Sequence, residues 1–184
     1  MTLRDKIRGL ILPLDAIDKF LPQKGRVIEL GCGEGVISKF LAQKKGRSVI
    51  GMDIDKKRLP NQNEENLKFI NCDISKSKIP KARGFVVSDV LHHLSSNDQK
   101  KIIKKVYSSL AKDGVLIIKE IDSDQKVRSK LSRLWDFILY PNDKISYWKA
   151  SELVRFLSLC GFRVKMTRKS KLFPGSTNLF VASK

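Results

Sequence analysis

Residues Val27-Ile28-Glu29-Leu30-Gly31-Cys32-Gly33-Glu34-Gly35 set an acidic residue near the end of an apolar run and then a glycine at every second position. Glycine lets a chain turn sharply from strand to helix, and it lets a ligand approach main-chain N–H groups with no Cβ in the way. A dinucleotide fingerprint needs its third glycine three positions after the second, but here that position is Val36 and the glycine stands at 35. The spacing therefore disfavours nicotinamide and flavin dinucleotides. Glu29 points the same way, because a carboxylate beside the turn repels a diphosphate and suits a ligand carrying positive charge.

Asp53 closes a second apolar run, 18 residues beyond Gly35, and Asp73 follows a third. An acidic side chain at such a strand end can accept hydrogen bonds from two neighbouring hydroxyls. A fourth run ends in Ser88-Asp89-Val90-Leu91-His92-His93-Leu94, which holds both histidines of the chain. His92 or His93 could take a proton near neutral pH; either could equally pack without titrating. Adjacent histidines in a strand-to-helix turn are poor metal ligands, and with no third ligand in evidence no metal is expected.

The elements that position these residues alternate between apolar runs and helical patterns from residue 26 to 121, which predicts a doubly wound α/β fold with a mostly parallel sheet and helices on both faces. Strands are expected at 27–30, 48–53, 67–71, 85–88 and 115–120, with a helix behind the glycine turn carrying Val36, Ile37, Phe40 and Leu41 inward. Ser96 and Gln99 can form a capping box for a helix running to about Ala111. Asp113-Gly114 then turns the chain back. A helix at 151–160 stops at Gly161, and strands at 162–166 and 179–182 join across Pro174-Gly175, the last running antiparallel. Between the second and third strands, Pro60 and the lack of an apolar face predict a short or missing helix.

Glu-x-Gly-x-Gly-x-Gly and this element order resemble the class I (seven-stranded, Rossmann-like) S-adenosylmethionine-dependent methyltransferases, and the resemblance covers nearly the whole chain. It implies S-adenosyl-L-methionine as cofactor and S-adenosyl-L-homocysteine as product. The cofactor residues it implies are Glu29, Gly31, Cys32, Gly33 and Gly35 around the turn, Asp53 on the ribose, and Ile54 on the adenine face. Asp73 would accept the adenine amino group, with Cys72 or Ile74 against the ring, and Ser88 would lie at the fourth strand end. Asp89, Glu120, Asp122, Trp135, Tyr147 and Trp148 fall on the acceptor side, the aromatics belonging to a segment that also holds Phe137 and Tyr140. They could line an apolar pocket or simply pack under a helical lid. Amino-methylating relatives carry Asn or Asp, two prolines and an aromatic at the fourth strand end; Ser88-Asp89-Val90-Leu91 has none of that. A Pro-Cys pair for cytosine chemistry is also lacking.

A length of 184 residues suits one domain, 1–184, with an N-terminal helical cap at 1–24 and a helical, aromatic acceptor-side insertion at 123–149. Three dispersed cysteines argue for a reducing compartment, and the apolar patch Gly9-Leu10-Ile11-Leu12 is broken by Pro13 and Asp15 before membrane length, so a cytoplasmic protein without a transmembrane segment is expected. The formal net charge is +18, and residues 123–184 hold 13 Lys or Arg against 4 Asp or Glu. Basic clusters at 126–133 and 163–171 fit an RNA or an anionic acceptor; Lys100, Lys101, Lys104 and Lys105 read as a solvated helix face. A small or lipid-like organic acceptor is the first reading, RNA the second, and a non-catalytic S-adenosylmethionine-binding subunit the third. The oligomeric state is left open.

Overall fold

Alternation along each strand decides which layer its residues enter. In β1 (Gly25–Leu30) Val27 faces one side and Ile28 and Leu30 the other; in β4 (Ala82–Ser88) Val86 opposes Phe85 and Val87; in β5 (Leu110–Ile121) Ile117 opposes Leu116 and Ile118. Every one of these side chains is buried, as expected for strands covered on both faces. A computed structural model describes residues 12–61, 63–121, 146–169 and 177–184.

The remaining strands are β2 (Arg47–Asp53), β3 (Leu67–Asn71), β6 (Arg163–Lys169) and β7 (Thr177–Ser183). They form one seven-stranded sheet in the order β3-β2-β1-β4-β5-β7-β6, parallel except that β7 runs antiparallel to both neighbours. Helices α1 (Leu14–Asp18) and α2 (Val36–Ala42) pack on the Val27 face. On the Ile28 face lie α3 (Ser96–Ser109) and α4 (Ala150–Leu159). The order jumps from β1 to β4, and a ligand crevice opens outside the carboxyl ends of strands at such a switch.

Sequence expectation and structure part at the start of α3 and at its junction with β5. The cap of α3 is Ser95 rather than Ser96: its Oγ accepts from Asp98 N at 3.2 Å and donates to Asp98 Oδ2 at 2.7 Å. Gln99 is released from capping and buried, donating through Nε2 to the carbonyls of Leu94 and Ser146, both at 2.9 Å. Asp113-Gly114 does not form a separate turn, because the chain leaves α3 directly into β5 and absorbs the extra residues as a bulge between the pairs Ala82–Leu110 and Gly84–Val115. The segment between β2 and β3 contains no helix among its described residues, as its composition predicts, and Pro60 folds back with Phe69 against Gly35.

At the far side of α1, Arg47 is buried against Asp18 and also donates to the carbonyls of Pro22 and Leu21, which ties the N-terminal helix to the start of β2. No helix among the described residues is long and apolar enough to cross a membrane. The expected Pro174-Gly175 connection, the 123–145 part of the insertion and residues 1–11 of the cap lie outside the described residues.

Candidate functional site

The strand-to-helix turn is held open by geometry that only glycine satisfies. Gly31, Gly33 and Gly35 all have positive φ, and a Cβ on Gly31 would fall 2.3 Å from Val90 Cγ2. Gly31 N and Cys32 N both donate to Met52 O, at 2.7 and 3.1 Å, so the turn is fastened to β2. Glu29 is buried and its Oε2 accepts from Ser38 N at 2.8 Å and Ser38 Oγ at 2.5 Å. Its Oε2 thus ties the end of β1 to α2 behind the turn. Burial and the Glu29 and Asp53 carboxylates push the Cys32 thiol up, so it stays protonated and unreactive.

Asp53 closes β2 beside the turn. Its Oδ2 accepts from Gly33 N at 2.7 Å and its Oδ1 from Asp55 N at 2.9 Å, which leaves each oxygen a further lone pair for a hydroxyl. Asn71, which the sequence reading passed over, secures this strand end by donating to the carbonyls of Asp53 and Ile54 at 3.0 and 2.8 Å. Ile54 is 69% exposed, an apolar side chain held out beside the carboxylate. Asp73 is committed locally: Oδ1 binds Ser75 N and Oγ, and Oδ2 pairs with Lys76 at 3.2 Å. The bond from Ser75, against some burial, holds its carboxyl below the ordinary value. Ile74 is buried in the core cluster that holds Met52 and Ile79, and its neighbour Cys72 is half-buried against the same cluster.

The third part is the turn after β4. Asp89 has φ +55°, and among the described residues no other non-glycine has positive φ. Lys119, buried near the end of β5, donates to Asp89 Oδ2 at 2.5 Å; Ser88 Oγ reaches the same oxygen at 3.3 Å. Burial pushes the Asp89 carboxyl up, but Lys119, His92 and Ser88 outweigh it and hold it below the ordinary value. Glu120 next door is buried and organises the short 3-10 turn Leu91–His93: Oε1 accepts from Leu91 N at 2.9 Å and Val90 N at 3.3 Å, and Oε2 meets His92 Nδ1 at 2.7 Å. The His92 ring is buried, stacked on Tyr147 at 5.1 Å and packed on half-buried His93 at 4.2 Å. Trp148 instead stacks on Phe156 of α4 and packs on the core, so of the described insertion aromatics it is Tyr147 that packs on His92. Trp135, Phe137, Tyr140 and Asp122 lie outside the described residues. Among the described residues no group of three His, Cys, Asp or Glu could hold a metal ion.

Three features fit a cofactor built of adenosine joined to a cationic amino acid chain. The glycine cradle admits no Cβ, Asp53 offers hydroxyl-accepting lone pairs beside it, and Ile54 presents an apolar face for a ring. Comparison with known proteins leads to the same group. A family model described as a methyltransferase domain matches residues 3–166. Carboxy-S-adenosyl-L-methionine synthase of Nautilia profundicola is 29% identical over 119 residues, which are 61% of this chain and 51% of that protein. The rRNA adenine N-6-methyltransferase of Bacillus licheniformis is 28% identical over 99 residues, 51% of this chain and 34% of that protein. The chain thus spans about half, or less, of the length of these curated relatives. Magnesium protoporphyrin IX methyltransferase from Synechocystis PCC 6803, solved with bound SAH, shares the fold with a TM-score of 0.75 at 19% identity, covering 100% of this chain and 88% of that one. With the glycine cradle, the acid at the end of β2 and the β3-β2-β1-β4-β5-β7-β6 sheet all in one chain, and a family match over most of its length, the protein belongs to the class I S-adenosylmethionine-dependent methyltransferases.

Proposed function

We propose that the protein transfers a methyl group from S-adenosylmethionine to a small or lipid-like organic acceptor. When bound, the cofactor supplies a methyl group already activated by positive sulfur, so the chain must chiefly align the acceptor and receive its proton. The observation that carries this reading is the Glu120–His92 pair under Tyr147 at the carboxyl ends of β4 and β5. Glu120 fixes the His92 ring and the turn around it. His93, half-buried and packed on His92, is the imidazole we assign to the acceptor's proton, with His92 as its support. Tyr147 supplies a flat apolar wall, suited to an organic acceptor.

An RNA acceptor is the second reading. It is favoured by the net charge of +18 and by the exposed Arg163 and Lys165 on the edge strand β6. Against it, Ser88-Asp89-Val90-Leu91 lacks the Asn-Pro-Pro-aromatic run of amino-methylating relatives. A cofactor-binding subunit without transferase activity is the third. Incubating the protein with methyl-labelled S-adenosylmethionine and fractionated cell extract separates the three. Label is expected in a small-molecule or lipid fraction; label in RNA would move the assignment to the second reading, and cofactor binding without label in any fraction to the third.

A further inference from the structure

Each of the first five strands carries a carboxylate at or just beyond its C-terminal end: Glu29, Asp53, Asp73, Asp89 and Glu120. Four of them are engaged by the fold. Glu29 holds Ser38, Asp53 holds Gly33 and Asp55, Asp73 holds Ser75 and Lys76, and Glu120 holds Leu91 and His92. Asp89 differs. Both of its side-chain contacts, from Lys119 and Ser88, fall on Oδ2, and among the described residues Oδ1 accepts nothing. Within the Asp89–Lys119 pair the lysine side chain is 8% exposed and the carboxylate 36%, so the negative end faces outward. Asp89 has a left-handed backbone and the next residue, Val90, lies against Gly31, where a Cβ would fall 2.3 Å from Val90 Cγ2, so the β4 turn touches the glycine cradle.

We propose that Asp89 is a specificity-determining carboxylate that favours the positively charged methyl donor over its neutral-sulfur product. S-adenosylmethionine and S-adenosylhomocysteine differ by one methyl group and one positive charge on sulfur. A site that binds both through adenine, ribose and amino acid contacts distinguishes them only by groups near that sulfur. An outward carboxylate on the β4 turn, at the topological switch and against the cradle, is such a group. Lys119 acts here as a positioning residue, keeping Asp89 ionised and its strained backbone in place. The inference rests on the cofactor assignment above.

Calorimetry with S-adenosylmethionine and with S-adenosylhomocysteine, on the wild type, Asp89→Asn and Asp89→Gly, tests it. Glycine accepts φ +55° without strain and keeps the test open should the asparagine variant fail to fold. Both variants are expected to weaken S-adenosylmethionine about tenfold relative to S-adenosylhomocysteine, while the product's own affinity changes about twofold or less. An unchanged affinity ratio with both ligands still binding would overturn the inference and leave the cofactor assignment standing. Failure of the wild type to bind either ligand would overturn both.

Discussion

At the residue scale, an acidic side chain's chemistry depends on what already occupies its oxygens. Type and spacing made Asp53 legible in the sequence, and its bonds to Gly33 and Asp55 put it beside the cradle. Glu29 looked equally ligand-directed, and its Oε2 is taken by Ser38, a contact no local pattern announces because serine there reads as an ordinary helix residue. Lys119 was hidden for the opposite reason. A single lysine in an apolar strand suggests a solvated edge, and only the fold brings it against Asp89. Asp53→Ala should raise the dissociation constant for S-adenosylmethionine at least about tenfold, since it removes a charged acceptor from the ribose hydroxyls. Asp55 is exposed and its Oδ1 accepts from Lys57 N, so Asp55→Ala should change the constant by little. Calorimetry on the two variants checks this; the reverse order of effects would mean that the ribose carboxylate has been misassigned. His93→Ala should depress labelled-methyl incorporation about a hundredfold or more while cofactor affinity holds, and retained incorporation would remove His93 from the proton's path.

At the element scale, two contacts decide whether the site is assembled. Gly31→Ala puts a methyl into Val90 and forces φ +75° on a residue with a Cβ; the backbone alone costs about 1–2 kcal/mol. Cofactor binding should be lost. Adding Val90→Ala removes the two Cγ atoms in conflict but not the strain, so partial recovery of binding is expected, and no recovery would show that the turn rather than the β4 contact is broken. The second contact is remote. Arg47 has no exposed side-chain surface, and its loss leaves Asp18 buried beside Lys44 alone. Arg47→Ala should destabilise the fold by about 3–5 kcal/mol, measured as a lower urea midpoint. Burial pushes the Asp18 carboxyl up, but Arg47 and Lys44 overcome this and lower it from 3.8. A depressed folded-state value gives stability that is full above the unfolded value, near pH 4, and lost as pH falls through the lower folded value. Acid unfolding of the wild type should therefore retain an Asp18-dependent component that Asp18→Asn abolishes. The strands and both long helices were legible as apolar periodicity. The Ser95 cap and the bulge before Val115 were not, because adjacent serines offer two equivalent caps and a bulge leaves the hydrophobic pattern intact on either side.

At the scale of the whole molecule, a protein of net charge +18 uses a cationic methyl donor, and the edge we assign to that donor is one where five strands end in carboxylates. Those local negative charges offset a field that would otherwise repel the cofactor. Other positive charge is spread over the α3 face with Lys100, Lys101 and Lys104 and over β6 with Arg163 and Lys165, all exposed, while the Arg58 guanidinium lies over Gly33 of the cradle itself. Such a distribution binds polyanions whatever the protein's acceptor, so affinity for RNA alone says nothing of function. Salt dependence does separate the readings. Phosphate contacts on single-stranded RNA give a log–log slope of about −0.7 for each contact, and substituting Arg163 and Lys165 with Arg168, Lys169 and Lys171 by glutamine should flatten that slope in either case. With a small or lipid-like acceptor, those five substitutions leave cofactor affinity and labelled-methyl incorporation into the small-molecule or lipid fraction unchanged while bulk RNA binding collapses. Filter binding across a salt series, run beside the incorporation assay, checks both halves. A loss of incorporation that tracks the loss of RNA affinity would make the basic strand part of the acceptor site and RNA the acceptor.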